Sequence, residues 1–129
     1  MSLNLEIVTP DRSAWQGEVV LVQVPGSAGE FGVLEHHASL LGTTRPGLVT
    51  LDSNGSQARL VVGAGFAEVA EEGVTLLVDS CEEAGSYDKS QAATDLAEAE
   101  AALENIDPAS HEFERTRNRV DLATARLEA

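Results

Sequence analysis

The sequence predicts an α+β chain: an N-terminal antiparallel β-sandwich, or flattened barrel, followed by a C-terminal antiparallel α-helical hairpin. Three observations predict it. Up to Asp79, short apolar runs alternate with turn clusters of Gly, Pro and Asn, the spacing of an all-β sandwich or barrel. From Ser86 onward apolar residues recur at seven-residue intervals, and neither Gly nor Pro appears before Pro108. The pair Asp107-Pro108 then divides that stretch into two amphipathic halves, which fold back seam to seam. The predicted division is 1–85 for the sandwich and 86–129 for the hairpin.

A length of 129 residues suits one domain with an appendage. The net charge of −14 argues against a non-specific grip on nucleic acid or an anionic membrane. That charge is uneven. Residues 1–87 carry twelve acids against three bases, whereas residues 107–129 carry five against four, so an acidic body ends in a locally basic tip. The single cysteine, Cys81, excludes an internal disulfide and reads as a buried or half-buried small hydrophobe. No apolar run reaches membrane-spanning length and the first residues do not read as a signal peptide, so any membrane association is expected through a partner.

Taken in order, Leu3, Leu5, Ile7 and Thr9 alternate with Asn4, Glu6 and Val8, a half-buried strand ended by Pro10-Asp11. Trp15 and Gly17 lead into a second strand from Glu18 to Pro25, apolar on both faces. Pro25 to Gly29 is a turn cluster. Leu48 to Leu51 and Ala58 to Val62 flank Asn54-Gly55, whose two residues accept the positive φ that a type I′ hairpin turn demands. Phe66 to Ala70 and Val74 to Asp79 close the series around the Glu71-Glu72-Gly73 turn. Ser86, Tyr87 and Asp88 offer oxygens to cap the first helix, and Asp107-Pro108 is expected to start the second. The first stripe holds Ala92, Leu96, Ala99, Leu103 and Ile106, the second Phe113, Thr116, Val120, Ala123 and Leu127. So few large residues in so alanine-rich a seam predict a hairpin that docks on the sandwich or on a partner and can let go.

Between these parts lies the most distinctive stretch, GEFGVLEHHASLLGTTRPG, from Gly29 to Gly47. Its spacing resembles the G-E-x-G-x-x-P-G-H-A-P-L-L block, followed by P-G, of the epsilon subunit of the F-type ATP synthase. Gly29, Glu30, Gly32, His37, Ala38, Leu40, Leu41, Pro46 and Gly47 match, while Glu35, His36 and Ser39 depart. Leu3-Glu6-Ile7-Val8 with Trp15-Gln16-Gly17, Gly63 to Val69, and Gly73 to Asp79 are similar to further strands of that family, in register.

The resemblance implies a non-catalytic rotor subunit of the central stalk. Its sandwich would bind the gamma subunit and rest on the membrane-embedded c-ring, and its hairpin would restrain ATP hydrolysis. Glu30 and Phe31 are then the c-ring contact and His37 a gamma contact; without the family, Glu30 reads as a solvated turn acid. Arg115, Arg119 and Arg126, with Leu122, share one face of the last helix. They suit acidic loops of the alpha and beta subunits or, equally, a solvated face paired with Glu112, Asp121 and neighbouring acids. The family's ATP motif, I/L-D-x-x-R-A, falls over His111 to Thr116 and keeps only Arg115, with Glu112 at its acid, so a weak regulatory ATP site or none is expected. No other cofactor, no metal and no nucleic acid are implied. The implied place is peripheral, at the cytoplasmic face of the bacterial inner membrane. Two other readings compete: a stand-alone ligand- or metal-binding sandwich using Glu35, His36 and His37, and a small enzyme. Adjacent strand histidines point to opposite faces, and no nucleophile, phosphate-loop or C-x-x-C motif is present, which weighs against each.

Overall fold

Alternation in the first part of the chain builds ten strands: β1 (Leu3–Thr9), β2 (Arg12–Val19), β3 (Leu21–Gly26), β4 (Gly29–Leu34), β5 (Leu40–Thr44), β6 (Gly47–Ser53), β7 (Ser56–Val62), β8 (Gly65–Ala70), β9 (Gly73–Val78) and β10 (Cys81–Glu83). The structure, a computed structural model, describes residues 2–34 and 39–129. The strands run in the order β10-β7-β6-β3-β5-β8-β9-β1-β2, with β4 paired to β3, in one sheet that curls into a nearly closed sandwich. Two bonds draw the open edge toward β6: the Val20 amide donates to the Asp52 carbonyl (2.7 Å) and the Ser53 hydroxyl to the Glu18 carbonyl (3.1 Å).

The predicted fold class holds, with local differences. The expected strand from Glu18 to Pro25 is two strands meeting at a corner. Core-facing residues change parity there, from Val19 to Val22 and Val24, so Val20 breaks the ladder. Four consecutive aliphatic residues, Val19 to Val22, hid that corner from periodicity. Trp15 lies within β2 rather than ahead of it, half-buried against the core. One pair is parallel: β1 runs with β9, Leu5 beside Val74 and Ile7 beside Leu76. Such a pair needs a long crossover, and here the intervening strands supply it. Asn54 and Gly55 turn β6 into β7 with φ of 50° and 90°, as their sequence demanded. Cys81 is half-buried on the short strand β10, which pairs with β7.

Helices α1 (Lys89–Leu103) and α2 (His111–Glu128) form the antiparallel hairpin. Asp88 caps α1, accepting from the amides of Ser90 (2.9 Å) and Gln91 (3.3 Å). Helix α2 starts later than expected. Asp107 accepts from the Ala109 amide (2.9 Å) in a local turn, and Ser110 takes the cap, its hydroxyl accepting from the Phe113 amide (3.2 Å). In the seam the small residues are buried, Ala92 and Ala99 against Thr116 and Ala123, while Leu96, Leu103, Phe113, Val120 and Leu127 are half-buried.

The apolar core is confined to the strands. It runs from Leu3 to Val78, centred on Leu5, Ile7, Val22, Val24, Val49 and Leu76, and Cys81 is the last residue packed against it among the described residues.

Candidate interaction surfaces

The hairpin lies against β6 and β7, and Glu114, Arg117 and Asn118 of α2 share a cleft with Thr43, Thr44 and Phe66 at one end of β5 and β8, while Leu41, Phe66 and Leu77 on the outer face stay exposed. Strand register sets Phe66 beside Leu77 and Leu77 beside Val8, one apolar row across three strands. Phe66 is 52% exposed, Leu77 51% and the nearby Leu41 71%. Together with Pro10 this row lines a shallow groove of about 490 Å³. Toward the other end of the same face, Glu6, Glu18, Glu68 and Glu72 surround a cleft of about 410 Å³ with no lysine or arginine in its lining. Sequence reasoning did not single out this surface. Its signal was available in the parity of the strands, where Phe66 and Leu77 alternate with the buried Ala67, Leu76 and Val78.

The β3–β4 hairpin carries two of the predicted site residues. Glu30 is exposed opposite Pro25 and lines a cleft of about 230 Å³, with Arg45 and with Asp121 and Glu128 of α2. Phe31, opposite Val24, packs against the core, and its ring lies over Gly26, where a Cβ would meet it at 3.0 Å. The two residues therefore differ in character: Glu30 is free for an outside contact, whereas Phe31 is largely committed to packing. His37, with Glu35 and His36, lies outside the described residues.

The α2 arginines divide as well. Arg115 and Arg119 are exposed, as is Glu112. Arg126 is held. Its Nε and Nη2 donate to the Glu82 carboxylate of β10 at 3.1 and 2.7 Å, and its guanidinium lies 3.7 Å from the ring centre of Tyr87. Tyr87 in turn donates to Asp95 Oδ2 at 2.6 Å, and Gln91 donates to Asp95 Oδ1 at 2.8 Å. These bonds hold the Asp95 carboxyl below its ordinary value, the Tyr87 bond contributing most. The same bond raises the Tyr87 phenol. The Cys81 thiol is also raised, first by burial. The last turn of α2 leaves carbonyls without helical partners. Arg59 of β7 donates to that of Glu128 (3.0 Å), and Lys89 of α1 to that of Leu127 (3.1 Å).

No helix of the described residues is long and apolar enough to cross a membrane. Residues 2–84 match the family described as the ATP synthase, Delta/Epsilon chain, beta-sandwich domain. The ATP synthase epsilon chain of Afipia carboxidovorans is 35% identical over 127 residues, which cover 98% of this chain and 88% of that one. The chain belongs to the ATP synthase epsilon-chain family.

The epsilon chain of a Bradyrhizobium species is likewise 36% identical over 120 residues, 93% of this chain and 87% of that one. Among solved structures, a chain of the Euglena gracilis mitochondrial ATP synthase OSCP/F1/c-ring assembly superposes with a TM-score of 0.82. It is 22% identical and the match covers 98% of this chain and 79% of that one. A chain of the Tetrahymena thermophila central stalk/c-ring assembly gives 0.66 at 13% identity, covering 98% and 97%. These two carry the fold, a sandwich followed by two helices. Epsilon-family membership upholds the resemblance read from Gly29 to Gly47, and the family is that of a non-catalytic subunit.

Proposed function

We propose that the chain works as a rotor subunit of the central stalk, with residues 1–85 as a stiff clamp and 86–129 as a movable regulator of ATP hydrolysis. One observation carries this reading: among the described residues, nothing beyond Cys81 joins the apolar core, so the hairpin can leave without opening the sandwich. Transmission of torque needs a body that resists twisting, and a nearly closed sheet provides one. The open apolar face with Phe66 and Leu77 suits the gamma subunit. The exposed Glu30 suits polar loops of the c-ring, and His37 remains a proposed gamma contact from the family pattern. Arg115 and Arg119, both exposed, suit acidic loops of the alpha and beta subunits, with Arg126 available to them only once it is released. Glu112 and Arg115 stand open to solvent, and nucleotide binding there is proposed to be weak or absent, with no cofactor required. On this reading the chain is peripheral at the cytoplasmic face of the bacterial inner membrane and reaches that membrane only through the complex.

The test compares the full chain with a truncation after Tyr87, each mixed with gamma and with the assembled catalytic head. Gamma should copurify equally with both, whereas restraint of hydrolysis should require the full chain. Loss of gamma binding on truncation, or equal inhibition by both forms, would refute the division of labour.

A further inference from the structure

Arg126 is the member of the α2 arginine stripe that already holds a carboxylate. Among the described residues, side-chain hydrogen bonds join the strands to helix α2 at two places, Arg126 to Glu82 and Arg59 to the carbonyl of Glu128, while the Ser86 hydroxyl donates to the Glu83 carbonyl (2.7 Å) within the connecting segment. Both links to α2 lie at its last turn. The Arg126 and Glu82 side chains are 17% and 21% exposed, so their bidentate pair is shielded and outranks an ordinary surface ion pair. The other side of the guanidinium is taken by Tyr87, which stands between β10 and α1 and is fixed by Asp95. Glu82 thus links the end of the sandwich, Tyr87 the connecting segment and Arg126 the end of the hairpin. Apolar contact also lies beside this cluster: Val61, opposite Glu82 in register and outside the strand core, is 1% exposed, and Ala125 of α2 is 3% exposed.

We infer that Glu82, Tyr87 and Arg126 form a latch that keeps the hairpin folded, with Glu82 occupying Arg126 in place of the carboxylate an outside acidic segment would present. The folded hairpin and docking through Arg126 then exclude each other. A partner reaches Arg126 only after Glu82 lets go, and an arginine freed from Glu82 favours the extended form. This deepens the regulatory reading above and rests on it only for what the released hairpin does.

The test uses the full chain with spin labels at the exposed positions Gln57 and Asn105, in a Cys81→Ala background, and reads the distance between sandwich and hairpin. The unsubstituted pair should give one dominant folded distance. Glu82→Gln should raise the share of long distances about tenfold, the factor expected when a shielded charged hydrogen bond is lost. Arg126→Lys, which keeps the charge but neither the fork nor the stacking, should fall between. Combining Glu82→Arg with Arg126→Glu should return the distribution toward the folded distance. A thermal melt in which the sandwich transition stays in place excludes general unfolding. An unchanged distribution in Glu82→Gln, or a charge-swapped pair no better than its single variants, would overturn the latch. Addition of the Glu82→Gln chain to the catalytic head separates the two levels: opened distances with unaltered inhibition would uphold the latch and count against the inhibitory role of the hairpin.

Discussion

Single positions show which parts of the sequence spoke plainly. Asn54-Gly55 announced its turn because two adjacent positive φ values, 50° and 90°, suit few other residue pairs. The cluster from Pro25 to Gly29 announced a turn but not the duty of each glycine. Gly29 takes a φ of 133°, whereas Gly26 is needed for space, since a Cβ there would sit 2.6 Å from the Gly29 carbonyl oxygen. Thr44 gave no signal. It ends β5, is 5% exposed, and its hydroxyl oxygen is buried without a hydrogen-bond partner among the described residues. An unpartnered buried hydroxyl costs free energy that an isosteric methyl does not. Thr44→Val should therefore raise stability by about 1 kcal/mol, read from the midpoint of denaturant unfolding at constant slope. A lowered midpoint would mean that the hydroxyl is satisfied after all.

At the scale of elements, seven-residue spacing locates both helices and the faces they share, but not the depth of each residue within the seam. The small residues are at its centre: Ala92 and Ala99 are 0% exposed, Thr116 4% and Ala123 2%. Close approach of the two backbones explains this. Small side chains let the helix axes come together, and the larger ones then splay to the margins, half in solvent. Periodicity reports which residues face the partner helix, not how near that helix comes. The start of α2 was missed for a similar local reason, since Asp107 spends its carboxylate on the Ala109 amide and leaves the cap to Ser110. A seam of this kind has no room to spare. Ala99→Leu should wedge the helices apart and cost the hairpin about 1–3 kcal/mol, the usual range for overpacking. Hydrogen exchange should quicken through 89–128 and stay unaltered in the strands. Slower exchange in the hairpin would show the seam to be under-filled.

Across the whole molecule, the two parts are held by different physics, and pH should separate them. The sandwich rests mainly on buried aliphatic side chains, which do not titrate; among the described residues its shifted carboxyl is that of Asp11 in the β1–β2 turn, held below its ordinary value chiefly by the Thr9 hydroxyl. The hairpin leans on Asp88, Asp95 and Tyr87. The Asp88 carboxyl is held below its ordinary value chiefly by the Ser90 hydroxyl and then by the Gln91 and Ser90 amides, and that of Asp95 by Tyr87 and Gln91. A carboxyl with a lowered folded-state pKa contributes stability that is present above its unfolded value, about 3.9, and lost as pH falls through the lower folded value. The Tyr87 phenol is raised, first by its bond to Asp95, so its contribution is full below about pH 10 and lost as pH climbs through the raised value. Loss of the phenolic proton also removes the donor to Asp95 and sets two negative charges face to face. The hairpin should therefore loosen on both sides, below about pH 4 and above about pH 10, each time before the strands give way. Exchange rates for 89–128 measured against those of β1, β6 and β9 over that range would check it, in a Cys81→Ala background because the raised thiol of β10 also titrates on the alkaline side. Tyr87→Phe should abolish the alkaline limb while Asp88 preserves most of the acid one. If hairpin and strands lose protection together at both extremes, the molecule behaves as one cooperative unit, and a hairpin able to move apart from an intact clamp is excluded.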